Sequence, residues 1–375
     1  MSDISNITNA SALFPIKGSA YVPTPSDDVA VPPQKYFDSD FTNSDFPLLW
    51  GRANGGRGDI HNFASDLKVN FLHLYDWSVP PYPGQQPGQY QRSHLSFLDE
   101  CASNNIKVFI PISNYFLEQL HQGNDVTPFI KAMVTEVYNG GTSPHKAAGI
   151  WGIGNEFDLA GGFSVTDVAK MIQILINVEA SLNIPASALL PITAPVSFAD
   201  PTGENIPGIV AIKNLHGALK AANLEPIWDT RIIASTNPQN DGNYIKNYID
   251  VTFPSYYSKL PFFFAEMGVP IKADSIVNTE EKQAEWVLSQ LQNATPRNNF
   301  LGACVFQFLD QSAVKTGSET TYGMTKYSGS FTTGTIPQGY IPGGGQTYNV
   351  DTLTEKPMYQ TVKKVFANAA VNTPV

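Results

Sequence analysis

Short, uninterrupted apolar runs alternate along this chain with longer stretches whose apolar positions recur every three or four residues. The runs fall near residues 16–22, 70–77, 107–113, 149–156, 190–197, 230–236, 261–268 and 301–309. A run without polar alternation is the pattern of a strand buried on both faces, as in a parallel sheet covered by helices. Between the runs, Val168, Met171, Ile172, Leu175, Ile176 and Glu179 share one face of a predicted helix over 165–182. Ser164 or Thr166 caps it, and Pro185 stands beyond its end. A second helix is predicted over 279–291, with Thr279 as N-cap and Trp286, Val287 and Leu291 as the buried stripe. A third spans 356–368, opened by Pro357. Strands alternating with helices in this way predict parallel β/α construction.

Three links are longer than ordinary connections: 23–62, 78–91 and 311–351, all rich in Pro, Gly, Ser and Tyr. Each follows the carboxyl end of a predicted strand, so they read as loops that build a site, with a disordered insertion as the alternative for 329–345. Residues 1–14 form an N-terminal arm, and the whole of 1–375 is expected to be a single domain.

Two of the apolar runs stop on a carboxylate. One is Ile150-Trp151-Gly152-Ile153-Gly154-Asn155-Glu156, the other Phe262-Phe263-Phe264-Ala265-Glu266. An ionisable side chain does not belong inside a doubly buried strand, but at its carboxyl end it points into the crevice where α/β folds carry their chemistry. A lone strand-terminal Glu equally fits a salt bridge or a loop cap. Two of them, one preceded by Asn155, predict a paired-carboxylate site. His73 and Tyr75 share a face at the end of the second run, with Trp77 at its rim; Tyr75 and Trp77 also fit the core. Asn114 and Tyr115, just past the third run, are further rim candidates.

Composition narrows the ligand class. Charged residues make up only 15% of the chain while Tyr, Phe, Gly, Pro and Asn are plentiful. Such a surface suits neutral, hydroxyl-rich ligands, whose rings stack on aromatic faces and whose hydroxyls need close donors and acceptors, and it equally fits a low-charge protein of secreted type. A net charge of −10 disfavours nucleic acid and anionic membrane surfaces. Cys101 and Cys304 have neither disulfide-framework nor zinc spacing, and the six His residues show no paired spacing, so no metal is expected. There is no Gly-x-Ser-x-Gly elbow, and the glycines around 51–56 do not follow a strand as a phosphate-binding turn does. Residues 1–10 lack a signal-peptide pattern and no run reaches membrane-spanning length, which predicts a soluble protein, cytoplasmic or exported by a non-standard route.

With Gly154-Asn155-Glu156 ending the fourth strand and Glu266 ending the seventh, the chain resembles glycoside hydrolase clan A. Within that clan it is most like the glucanase and glucanosyltransferase families. The resemblance also takes in residues 16–18, 66–77 and 356–359, and so nearly the whole chain. It implies a (β/α)8 TIM barrel that cleaves or transfers β-glycosides with retention, acts on an oligo- or polysaccharide and needs no cofactor. Glu156 is then the general acid/base, Asn155 the partner of the sugar 2-hydroxyl, and Glu266 the nucleophile. Clan members place an Arg at the end of strand two, where this chain has His73; Arg52 and Arg57 are the alternatives from the first loop. Gln307 follows Phe306 where the clan has a Trp near the end of strand eight, and is a binding candidate. Clan members present a Tyr or His after strand six to bond the nucleophile; Tyr244, Tyr256 and Tyr257 are the candidates, Tyr256 or Tyr257 first, and plain aromatic packing beneath the strand-seven Phe run fits them equally. The alternative function is a carbohydrate-binding protein that keeps the barrel without turnover.

Overall fold

The structure is a computed structural model that describes residues 7–24, 26, 47–77, 93–159, 161–312, 315–335, 345 and 347–368. Nine parallel strands form one sheet: β1 (Ile16–Ala20), β2 (Phe71–His73), β3 (Lys107–Ile112), β4 (Ala148–Ile153), β5 (Ile192–Thr193), β6 (Val196–Ser197), β7 (Ala234–Asn237), β8 (Phe262–Met267) and β9 (Phe300–Val305). Their order is β5-β4-β3-β2-β1-β9-β8-β7-β6. β5 and β6 are halves of one path, broken at Ala194-Pro195, where proline offers no N–H to a ladder. Ile192 pairs with Trp151 of β4 and also bridges to Ile232, so the sheet closes on itself. The eight apolar runs thus make a (β/α)8 barrel, with the fifth strand split in two.

Alternation along the strands fills the barrel's lower interior with Phe71, Phe109, Ile150, Ile233, Phe263 and Leu301. Phe109 reaches across to β4, where a Cβ on Gly152 would fall 1.8 Å from its ring. Only glycine fits there. Ile7, Ala10 and Leu13 of the N-terminal arm belong to the same apolar cluster and plug the amino-terminal mouth. The Thr8 N–H donates to the Thr230 carbonyl (3.0 Å), and the Asn9 amide donates to Ser187 and Leu189 carbonyls (3.2 and 2.7 Å).

A second, larger apolar layer lies between the strands and the helices. The helix Val165–Ser181 starts at a capping box in which Asp167 accepts from the Ser164 N–H (2.9 Å). Glu179 on its buried stripe is satisfied by Arg231, at 2.6 and 3.0 Å, and by the Trp151 indole N–H (3.2 Å). The helices Glu280–Asn293, capped by Thr279, and Pro357–Asn368 take their expected places. Among the described residues no helix is long and apolar enough to cross a membrane.

The long link after the eighth barrel strand holds more order than its composition predicts. It contains a short 3-10 turn, Gly317–Thr321, and a hairpin of β10 (Thr325–Thr335) and β11 (Thr347–Glu355), paired antiparallel. Much of β10 is exposed, so it carries no apolar run to mark it. The first link contains the helices Pro47–Trp50 and Asp59–Ser65. The predicted loop over 78–91 lies outside the described residues.

Candidate active site

Glu156 and Glu266 meet at the carboxyl-terminal mouth of the barrel, each aimed by a local departure from regular strand. After β4 the chain turns through Gly154 (φ 67°) and Glu156 (φ 48°). A left-handed Glu costs roughly 1 kcal/mol or more and persists only where its surroundings enforce it. Asn114 supplies that enforcement. Its side chain accepts from the Asn155 N–H (2.9 Å) and donates to the Asn155 carbonyl (3.0 Å). On β8 the register against β9 slips: Phe264 faces Ala303 but Met267 faces Val305. Three steps on one strand oppose two on the other, a bulge that re-aims the extra residue. Phe264 and Met267 therefore both pack into the outer layer while Glu266 turns inward.

A line of hydrogen bonds joins the two carboxylates. Tyr75 donates its hydroxyl to Glu266 Oε1 (2.8 Å), and Asn155 Nδ2 donates to the same oxygen (3.1 Å). Asn237, the last residue of β7, donates to Asn155 Oδ1 (3.3 Å) and to Glu156 Oε1 (3.0 Å). Burial, and then the charge of Glu156, push Glu266 up to about 8, against the donors Tyr75 and Asn155 and the charge of Lys315. Glu156 is raised as well, by burial first and then by Asp158 and Glu319, while Asn237 pulls it down. A pair of carboxyls raised together holds a proton between them at neutral pH.

His73 lies beneath this pair rather than in it. The ring is fully buried between Tyr75 and Phe109, at 4.5 and 4.3 Å between centroids, and its Nδ1–H donates to the Ala265 carbonyl (2.9 Å). Burial lowers its pKa to about 4, so it is neutral wherever the protein is folded near neutral pH. It braces the backbone of β8 next to Glu266 and brings no charge. Arg57 brings none either, since Asp59 holds it through two contacts of 2.7 Å; Arg52 is exposed. The donor that meets Glu266 from the second strand is Tyr75.

The other predicted residues separate into those near the pair and those away from it. Asn114 touches the backbone of Asn155, as described. Gln307 is 2% exposed, and its Nε2 has no partner among the described residues. Trp77 is buried on the outer side, stacked on His94 (4.1 Å) and donating to Glu136 (3.0 Å), so it does not form the rim. Tyr256 and Tyr257 precede β8 and so sit at the amino-terminal side. Tyr256 is 42% exposed beside Lys213, and Tyr257 packs on Trp228 and Phe253. Tyr244 donates to Asn205 (2.6 Å). None of the three reaches Glu266.

The residue that the sixth barrel strand brings to the pair is Asn237, and it meets Glu156 and Asn155 rather than Glu266. Tyr322, from the link after β9, is a second residue that the sequence did not single out. Its hydroxyl is held protonated by burial and by the charges of Glu319, Glu266 and Glu156. The rings of Tyr75, Phe306 and Tyr322 run edge to face beside the pair, at 6.4 and 4.9 Å. Asp158 accepts from the Ser197 N–H (2.8 Å) and hydroxyl (2.5 Å), tying the loop after β4 to β6. No cluster of His, Cys, Asp and Glu among the described residues has the make-up of a metal site.

No family model and no curated protein matches the sequence. Solved structures do match over 95% of the chain. One is the GH2 β-galacturonidase from Eisenbergiella tayi bound to galacturonate, with TM-score 0.54 and 14% identity. Another is Saccharomyces cerevisiae Gas2p in complex with laminaripentaose, with TM-score 0.53 and 14% identity. The likeness is one of fold: a (β/α)8 barrel. A third match is the FMN-binding β-glucuronidase from Facaelibacterium prausnitzii L2-6, with TM-score 0.51 and 17% identity over 83% of the chain. The chain spans 52%, 65% and 41% of the lengths of these three structures, respectively.

Proposed function

We propose that the protein is a retaining glycoside hydrolase or transglycosylase acting on β-linked neutral glycans. The observation that carries this reading is the joined pair: Glu156 and Glu266 at the ends of β4 and β8, linked through Asn155 and Asn237. Retention needs one carboxylate to attack the anomeric carbon and one carboxylic acid to protonate the leaving oxygen. Tyr75 and Asn155 both donate to Glu266, and charge-assisted bonds of this kind are worth about 1.5–3 kcal/mol each to the anion. They favour Glu266 as nucleophile, with the pair's proton on Glu156 once a glycosidic oxygen is there to receive it. The covalent glycosyl-enzyme then breaks when Glu156, now a base, activates water or a sugar hydroxyl.

The charges around the pair favour a neutral sugar. Asp158 and Glu319 add to the field at Glu156, while Lys315 is the cation that acts on Glu266. A uronic acid would bring a further carboxylate into this surplus of negative charge.

Two outcomes are expected of an active preparation. First, kcat/KM against pH falls above about 8, where the pair loses the proton that the leaving group requires. Second, Tyr75→Phe lowers kcat roughly 10–100-fold, the loss of one hydrogen bond to a charged group, with little change in melting temperature. Its acidic limb moves to higher pH, because Glu266 loses a donor to its anion. Proton NMR of the first-formed product tests the stereochemistry: the β-anomer supports the reading, and an α-anomer contradicts it.

A further inference from the structure

Asn237 is placed to act on both carboxylates at once. It ends β7, where Ser197 of β6 fixes its register, and it is 6% exposed. Its amide nitrogen carries two hydrogens and meets two acceptors, Glu156 Oε1 at 3.0 Å and Asn155 Oδ1 at 3.3 Å. The second contact settles the orientation of Asn155. With its Oδ1 engaged by Asn237, that amide turns Nδ2 toward Glu266, and the two bonds in series polarise one another. Packing alone does not account for Asn237, because its own Oδ1 is buried with no partner among the described residues. An apolar residue would fill the same space without that cost.

We propose that Asn237 is the positioning residue that couples the two carboxylates. One amide hydrogen steadies the anion of Glu156 and the other turns Asn155 onto Glu266, so that Asn237 sets the pH range in which Glu156 serves as acid. This deepens the glycosidase reading and rests on it. The groups acting on Glu156 come from several elements. Glu266 lies on β8, Asp158 in the loop of Glu156 itself and Glu319 in the turn after β9; Tyr75 and Tyr322 face the pair as neutral hydroxyls, and Lys315 acts on Glu266. Asp158 and Glu319 raise Glu156, and Asn237 opposes them.

The test compares wild type with Asn237→Ala and Asn237→Asp in two measurements. These are the pH dependence of kcat/KM on a glycoside that the wild type cleaves, and a 13C carboxyl titration of Glu156 by NMR. Loss of one bond to the anion moves the Glu156 titration, and with it the alkaline limb, up by about one pH unit in Asn237→Ala. Asn237→Asp keeps the shape, removes the donor and moves both in the same direction. It also carries the test if the alanine variant fails to fold. Unmoved titration and limb in a variant that melts like wild type overturn the proposal, as does an activity loss uniform across pH. A wild type that cleaves no glycoside counts against the functional reading, and the NMR titration still decides the role of Asn237.

Discussion

Glu266→Gln is expected to lower turnover of any glycoside the protein cleaves by roughly 10³-fold or more while leaving glycan binding in place. Glutamine keeps an oxygen to accept from Tyr75 and Asn155, so the site's geometry survives without the carboxylate proposed as nucleophile. The same change should raise thermal stability, by an amount that depends on pH. Glu266 has its folded pKa raised to about 8, above the ordinary value of 4.5. Below 4.5 the carboxyl is protonated in both folded and unfolded chains, and there is no penalty. As pH rises from there through 8, the unfolded chain gives up a proton that the folded chain keeps, and stability falls. Glutamine does not titrate. The melting temperature of Glu266→Gln should therefore differ little from wild type near pH 4 and exceed it most at pH 8 and above. A gain that is the same at both ends would mean that packing, not burial of charge, is responsible.

Arg231→Ala is expected to cost roughly 3–5 kcal/mol, with a drop in melting temperature on the order of 5–10 °C. Both partners of the Arg231–Glu179 pair have side chains only 2% exposed. Removing the guanidinium leaves the carboxylate facing the Trp151 N–H alone, and the Leu190 carbonyl loses two donors. Arg231→Met combined with Glu179→Leu should recover much of that loss, because no charge is then left buried. Thermal unfolding of the single and double variants measures this. Since the pair lies in the outer layer, activity per folded molecule should be unchanged.

The barrel was legible because strands buried on both faces leave uninterrupted apolar runs, and all eight runs became strands. The break at Pro195 was not, because the residues on either side, Ile192 and Val196, continue the same apolar pattern. The hairpin of β10 and β11 was missed for the opposite reason: much of it is exposed, so burial leaves no mark on its sequence. At the site, the two glutamates were legible as polar ends of apolar runs. Asn237 does not stand out in the same way: Ser235 and Thr236 separate it from the apolar Ile232-Ile233-Ala234, and an uncharged amide draws less notice than a carboxylate. Tyr256 and Tyr257 drew attention as aromatics after strand six, but they stand just before β8 and so at the other end of the barrel. His73 shows a further limit. It stands where the resemblance places an Arg against the nucleophile, whereas it is buried between two rings and braces the Ala265 carbonyl as a neutral imidazole.

Whether Glu266 forms a covalent glycosyl-enzyme is decided by intact-mass spectrometry after incubation with activated 2-deoxy-2-fluoro-β-glycosides of several neutral sugars, followed by peptide mapping. A single added glycosyl unit on Glu266, lost in Glu266→Gln, is the expected result. No adduct with any sugar, from a protein that still binds the parent oligosaccharides, would contradict it and leave a glycan-binding barrel without turnover.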